Sequence, residues 1–259
     1  MKIAVFDSGI GGLSVLYEAQ RALPQEQFIF FADEDNVPYG TQTPEAVQEH
    51  VAAAFDFLVG QQVKAIVVAC NTATSVAVPA MRARYDLPII GMEPAAKLAL
   101  AEDSEHRVLV VATPITVKGQ KMQNLIARVD KDHLVDRLAL PELVTFAERQ
   151  EFDSPAVRTY LQQALAPYDL AQYSALVLGC THFNYFKPAF RALLPANMHF
   201  VDGNAGTVRE LKRQLTARQA LEQLTPEVAY YYSGRRVTDT AEQARIARYL
   251  QQLSAVHDL

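Results

Sequence analysis

VVACNTATSVAVPAMRA, residues 67–83, runs apolar into Cys70 and turns at once to Asn71 and Thr72 before a helix-spaced stretch. Residues 176–192, LVLGCTHFNYFKPAFRA, repeat the pattern around Cys180. These are the only two cysteines of the chain, and both segments end in Pro-Ala-x-Arg-Ala. Each continues to a short apolar run ending in glycine, at Ile90-Gly91 and at Asp202-Gly203. The likeness extends upstream, where KIAVFDSGIGG and RVLVVATPITV place Asp7 and Thr113 almost equally far ahead of their cysteines. Any two buried parallel strands resemble each other, but the shared cysteine offset and the proline-arginine pattern favour duplication.

Working outward, β-branched apolar runs at residues 3–6, 28–31, 65–69, 89–91, 108–112, 175–178 and 198–201 alternate with helix-spaced stretches. Most of the runs are apolar throughout, as expected of parallel strands covered on both faces. Helical spacing recurs over 44–58, 77–85, 117–129 and 155–166, with Thr43 and Asp153-Ser154 placed to cap two of them. The pattern predicts an α/β fold of two pseudo-symmetric lobes, each a mostly parallel sheet flanked by helices. The crossover falls near residues 92–95.

The chain has 259 residues, half of them hydrophobic, and a net charge of −5. Lys and Arg are scattered, with no basic stripe to follow a phosphate backbone, so nucleic acid is not expected as a partner. No stretch is long enough to span a bilayer, and Asp7 interrupts the first apolar run too early for a signal peptide. Two cysteines do not make a disulfide framework, which leaves the reducing cytoplasm as the expected compartment.

In open parallel sheets, ligands bind at the carboxyl ends of strands. Asp7, Cys70, Thr113 and Cys180 all lie at such ends, and facing lobes would bring them to one cleft. Two thiols from opposed lobes suit inversion of a stereocentre: one removes a proton from carbon and the other delivers one to the opposite face. A free thiol has a pKa of about 8.5, lowered beside a cation or helix N-terminus, so a thiolate and a thiol can coexist near neutrality. A helix dipole supplies only about 0.3–2 kcal/mol, so each thiol needs a side-chain partner as well. Asp7 is the candidate for Cys70 and His182 for Cys180.

Other readings stand beside this one. The thiols can be inert core residues, although neighbouring Asn71, Thr72, Thr181 and His182 are awkward in a core. A disulfide, or a metal held by Cys70, Cys180 and His182, lacks supporting spacing. DSGIGGLS resembles a phosphate cradle but lacks its third glycine and carries a carboxylate where a pyrophosphate would approach. Its glycines suit instead a close approach of backbone N–H groups and Ser8 to a small carboxylate. NVPYG, residues 36–40, reads as a turn with Gly40 free to take positive φ, its Tyr39-Gly40 pair offering backbone groups to a ligand. Thr113 and Thr116 add hydroxyls, though Thr116 can also cap the following helix. The remaining histidines show no constellation.

Five motifs together resemble the cofactor-independent glutamate racemases of the aspartate/glutamate racemase superfamily. They are Asp7-Ser8-Gly9-x-Gly11-Gly12-Leu13, Pro38-Tyr39-Gly40, Ala69-Cys70-Asn71-Thr72-Ala73, Ala112-Thr113-x-x-Thr116 and Leu178-Gly179-Cys180-Thr181-His182. The resemblance spans most of the chain. It implies interconversion of L- and D-glutamate without pyridoxal phosphate or metal, supplying D-glutamate for peptidoglycan. Carried over by motif, Cys70 acts on D-glutamate assisted by Asp7, and Cys180 acts on L-glutamate assisted by His182. Ser8, Tyr39, Gly40, Asn71, Thr72 and Thr181 would hold the substrate, with Thr113 and Thr116 as lesser candidates. The implied lobes are 1–94 plus 205–259 and 95–204, and homodimers are common in the family.

Some positions depart from the family pattern. Glu148 would match the carboxylate that pairs with the second-lobe histidine, but the run 144–148 differs from the usual one. Phe183-Asn184-Tyr185 follows His182, and Glu93-Pro94 follows Gly91-Met92; both can alter lobe packing. The first strand starts almost at Met1, so activation through the N-terminal extension of some members is not expected. A change of substrate to aspartate or a hydantoin, or a non-catalytic binding module, are the alternatives that kinetics must separate.

Overall fold

Strands β1 (Ile3–Asp7), β2 (Gln27–Ala32), β3 (Ala65–Val68) and β4 (Ile89–Gly91) form the first sheet with β9 (Glu227–Tyr232) and β10 (Arg235–Arg236). Strands β5 (Arg107–Ala112), β6 (Val135–Ala139), β7 (Tyr173–Leu178) and β8 (His199–Val201) form the second. The structure is a computed structural model that describes residues 1–92, 95–103 and 105–259. Glu93 and Pro94, where the sequence departs from the family pattern, lie outside the described residues.

The strand orders are β10-β9-β2-β1-β3-β4 and β6-β5-β7-β8. The order 2-1-3-4 of the first sheet thus recurs as 6-5-7-8 in the second, which is the repeat read from the cysteine segments. Every described pairing is parallel except β9 with β10. The fold is α/β, as the sequence predicts.

Both faces of the first sheet are covered. Val5 of β1 and Val67 of β3 join one large apolar cluster, whereas their neighbours Ala4, Phe6, Ile66 and Val68 point into a second. This is why the strands read as continuous apolar runs. The large cluster also takes Leu109, Leu176 and Leu178 from the second sheet and Ile246, Tyr249 and Leu253 from the terminal helix Thr240–Val256. Burying each such leucine or isoleucine contributes about 1.5–3 kcal/mol, so one shared core ties the sheets together. We propose lobes with the boundaries 1–94 plus 205–259 and 95–204, since β9 pairs in parallel with β2 and returns the tail to the first sheet.

Local signals held at the helix starts. Thr43 Oγ1 accepts the Ala46 N–H at 3.3 Å, and Ser154 Oγ accepts that of Val157 at 3.3 Å. The single helix expected over 117–129 is instead two, Pro114–Lys118 and Gln120–Val129, interrupted at Gly119. Strands β6 and β9 were not foreseen: β6 is a half-buried edge carrying Asp136 and Arg137, and β9 begins on a charged Glu227. Strand β6 has no unbroken apolar run, whereas β9 carries one at 228–232 that is only partly buried.

Candidate active site

The four strand ends singled out in the sequence meet. At the end of β1, Asp7 is fully buried. Its Oδ2 accepts the Thr181 hydroxyl at 2.9 Å, and its Oδ1 accepts the Ser8 hydroxyl at 3.2 Å and the Gly9 N–H at 3.3 Å. Burial outweighs these contacts and pushes the carboxyl above its ordinary range.

After β3, Cys70 caps the helix Asn71–Val76, its Sγ accepting the Ala73 N–H at 3.4 Å. The thiol donates to Ser8 Oγ at 3.6 Å, so Asp7 reaches Cys70 through Ser8. The expected lowering of the thiol pKa does not extend to Cys70. Burial first, and the Asp7 charge second, push it up to about 12, against which the six-residue helix offers only one N–H. Cys70 is therefore a neutral thiol.

After β7, the chain enters a short 3₁₀ turn, Thr181–Phe186. Cys180 Sγ lies 3.8 Å from His182 Nδ1, and His182 Nε2 donates to Glu148 Oε1 at 2.7 Å. Burial alone would lower the histidine pKa, but Cys180 and Glu148 together raise it well above its ordinary value. Burial likewise works against ionised Glu148, yet His182, the Ile10 N–H at 2.9 Å and Arg245 bring it below the usual carboxylate range. His182 and Glu148 form a buried ion pair.

From β5, Thr113 is the residue that precedes the helix Pro114–Lys118, and Thr116 sits inside that helix rather than capping it. The Thr113 hydroxyl lies 2.9 Å from that of Thr72 and donates to Thr116 Oγ1 at 3.1 Å. These hydroxyls join the two sheets across the cleft.

The cleft holds about 260 Å³ of space between atoms, part of it open to solvent. From the first sheet it is lined by Ser8, Tyr39, Gly40, Cys70, Asn71 and Thr72, and from the second by Thr113, Cys180, Thr181 and His182. Asp7, Glu148 and Thr116 do not line it but stand behind those that do. Pro38 and Val144 complete the wall and were not singled out as site residues. No Arg or Lys is among the described residues that line the cleft, so hydroxyls, backbone groups, the two thiols and the His182 ring face whatever enters.

Two glycine roles differ from expectation. Gly40 does not adopt a left-handed conformation; it is needed because a Cβ there would stand 2.5 Å from Thr113 Cβ. In the Asp7–Gly12 loop, the backbone N–H groups serve protein carboxylates, Gly9 on Asp7 and Ile10 on Glu148. A Cβ at Gly11 would lie 2.4 Å from His182 Nδ1 and 2.6 Å from Thr181 Oγ1. Gly11→Ala is therefore expected to destabilise the fold by about 1–3 kcal/mol through overpacking. It should also displace the imidazole enough to lower kcat by more than tenfold, read from urea unfolding and steady-state rates. Wild-type kcat in a folded variant would contradict this.

Tyr39 lines the cleft, donates its hydroxyl to Asp33 at 2.5 Å and stacks on His50, so that hydroxyl is already engaged. The departures after His182 serve packing. Tyr185 donates to the Ile10 carbonyl at 3.0 Å across the sheets, and Phe183 is fully buried. Two further charged residues, Glu34 and Arg245, stand behind Glu148. The pair Glu242 and Arg245, three apart on a helix, reads from sequence as an ordinary solvated face.

Both thiols are free. No described helix is long and apolar enough to cross a membrane. Two related, mostly parallel sheets, each delivering one thiol to a common cleft, define a thiol-bearing α/β enzyme. The model of the Asp/Glu/hydantoin racemase family matches residues 13–211, and the chain belongs to that family. It is similar to the glutamate racemase of Campylobacter curvus, 49% identical with 100% of both chains covered. Among solved structures it is similar to glutamate racemase isoform RacE1 of Bacillus anthracis (29% identity, TM-score 0.84, covering 96% of this chain and 94% of that one). It is also similar to the Francisella tularensis glutamate racemase in complex with D-glutamate (26% identity, TM-score 0.83, covering 96% and 93%).

Proposed function

We propose that the chain interconverts L- and D-glutamate by proton transfer at Cα, with Cys70 and Cys180 as the two acid–base groups. One observation carries this reading: the two thiols occupy equivalent strand ends of duplicated sheets and line one small cleft. Each also has its own proton partners, Ser8 and Asp7 for Cys70 and His182 and Glu148 for Cys180.

In the L-to-D direction, the Cys180 proton already rests on His182, whose imidazolium is held by Glu148, so Cys180 starts as the thiolate. The thiolate removes the α-proton from one face, and the Cys70 thiol protonates the carbanion from the other. The Cα–H bond broken at one face is replaced by a Cα–H bond at the other, and the S–H bond made at Cys180 is balanced by the one lost at Cys70. In the reverse direction Cys70 gives its proton toward Asp7 by way of Ser8. Thr72, Thr113, Thr181, Asn71 and the backbone at Gly40 hold the substrate. Neutral donors aimed at the developing charge suit a cleft whose lining includes no Arg or Lys. The D-glutamate formed would supply peptidoglycan synthesis.

Incubation with D-glutamate in heavy water should yield L-glutamate carrying solvent deuterium at Cα, at rates well above those for aspartate or a hydantoin. Absence of exchange with either glutamate enantiomer would overturn the assignment.

A further inference from the structure

Behind His182, on the side away from the cleft, lies a second layer of charge. Arg245 of the terminal helix places Nη2 3.2 Å from Glu148 Oε2 and 3.6 Å from Glu34 Oε2, and Nη1 3.3 Å from Glu242 Oε2. Glu34 follows β2, and its side chain is 17% exposed. Its Oε1 is buried with no hydrogen-bond partner, as is the Tyr232 hydroxyl.

The three carboxylates are not equally supported. Glu148 is bonded to His182, the Ile10 N–H and Arg245. Glu242 is 41% exposed and has water available. Glu34 has one long ion pair and an orphaned oxygen. With all three ionised, Arg245 and His182 leave one negative charge uncompensated. The acid that takes up a proton first is the one whose charged form is least supported, and that is Glu34.

Resting on the proposed racemase reading, we propose that Glu34 is a positioning residue: its charge sets how firmly Arg245 holds Glu148, and through Glu148 how strongly His182 holds the proton of Cys180. The groups that face Glu34 are Glu148 from helix Glu142–Glu148, His182 from the 3₁₀ turn, and Tyr232 from β9. Arg245, Glu242 and Tyr249 face it from the terminal helix. Burial first and the Glu148 charge second push the Glu34 carboxyl up to about 7, more than Arg245 and His182 pull it down. Glu34 therefore gains and loses its charge near neutrality. Ionised, it competes for Arg245 and adds negative potential at His182, favouring the imidazolium and the Cys180 thiolate. Protonated, it withdraws that support.

Enantiomers have equal free energy, so kcat/KM must be the same in both directions at every pH. An effect confined to one thiol then appears as a split, with the ratio of the two kcat values moving together with the ratio of the two KM values. In the wild-type enzyme that ratio should change through pH 7. In Glu34→Gln, a neutral mimic of the protonated acid, this inflection should vanish. The rates should match wild type at pH 6 and fall about three- to tenfold at pH 8. Glu34→Asp should restore the inflection.

A purely structural role would lower the rates equally at all pH values and leave the ratio alone, and that result overturns the inference. The ring-nitrogen NMR shifts of His182 read the same event without substrate. They should step near pH 7 in the wild type, so the test survives poor folding of the variant. Normal racemisation without that step would overturn the role of Glu34 alone. The step without racemisation would support that role while overturning the glutamate reading.

Discussion

Cys70→Ala is expected to let L-glutamate exchange its α-hydrogen with heavy water while forming no D-glutamate, and Cys180→Ala to do the converse with D-glutamate. The Cys180 side holds its own proton relay in His182 and Glu148, and nothing in that relay passes through Cys70. With Cys70 gone, a carbanion made at one face can only be reprotonated from the same face, giving exchange with retention. A positioned acid or base contributes about 10²–10⁴-fold, and inversion needs both, so racemisation should fall by about 10⁴-fold in either variant. Cys70 is small and makes one bond to Ala73 N–H and one to Ser8. Its removal should cost no more than about 1 kcal/mol of stability, comparable with deletion of a buried methyl group. Chirally resolved deuterium incorporation and urea unfolding decide the matter. If either variant still inverts the centre, or both lose exchange with both enantiomers while folded, the two-thiol scheme is wrong.

The site was legible where chemistry coincides with a strand end. Cys70, Thr113 and Cys180 each end an apolar run, and a small polar group there has few uses in a core. The parallel sheets were legible for the same reason, because runs buried on both faces show no alternation. What was missed depends on neighbours distant in sequence. Strand β6 mixes Asp136 and Arg137 with apolar residues because its position at the sheet edge leaves them half exposed. The Asp7–Gly12 glycines looked like a ligand cradle. Their spacing instead lets this loop pack against His182 and Glu148 from the other sheet, a contact that no local pattern encodes. The low thiol pKa expected from the helix position was overridden at Cys70 by burial, which is a tertiary quantity. Arg245 belongs to the site only because the terminal helix folds back against Glu148.

Glu148→Gln is expected to lower kcat by about 10²–10³-fold and to destabilise the protein by about 3–5 kcal/mol near neutral pH. Breaking a buried ion pair from one side leaves the other charge without its partner. Here two would be stranded, the His182 imidazolium and part of the Arg245 guanidinium. The pH dependence of the loss follows from the two shifts. Glu148 is lowered from its ordinary 4.5, so its contribution is present above that value and disappears as pH falls through its folded pKa. His182 is raised above its ordinary 6.5, so its contribution is complete below that value and disappears as pH rises through its folded pKa. The stability gap between wild type and Glu148→Gln should therefore be widest between about pH 4.5 and 6.5 and should narrow on both sides. Urea unfolding across that range measures it directly. A gap independent of pH would show that Glu148 acts by packing alone. An unchanged kcat would show that the imidazole does not need its carboxylate to take the Cys180 proton. The catalytic loss should also exceed that of Glu34→Gln, because Glu148 touches His182 at 2.7 Å whereas Glu34 acts on it through Arg245 and Glu148 and by its charge at longer range.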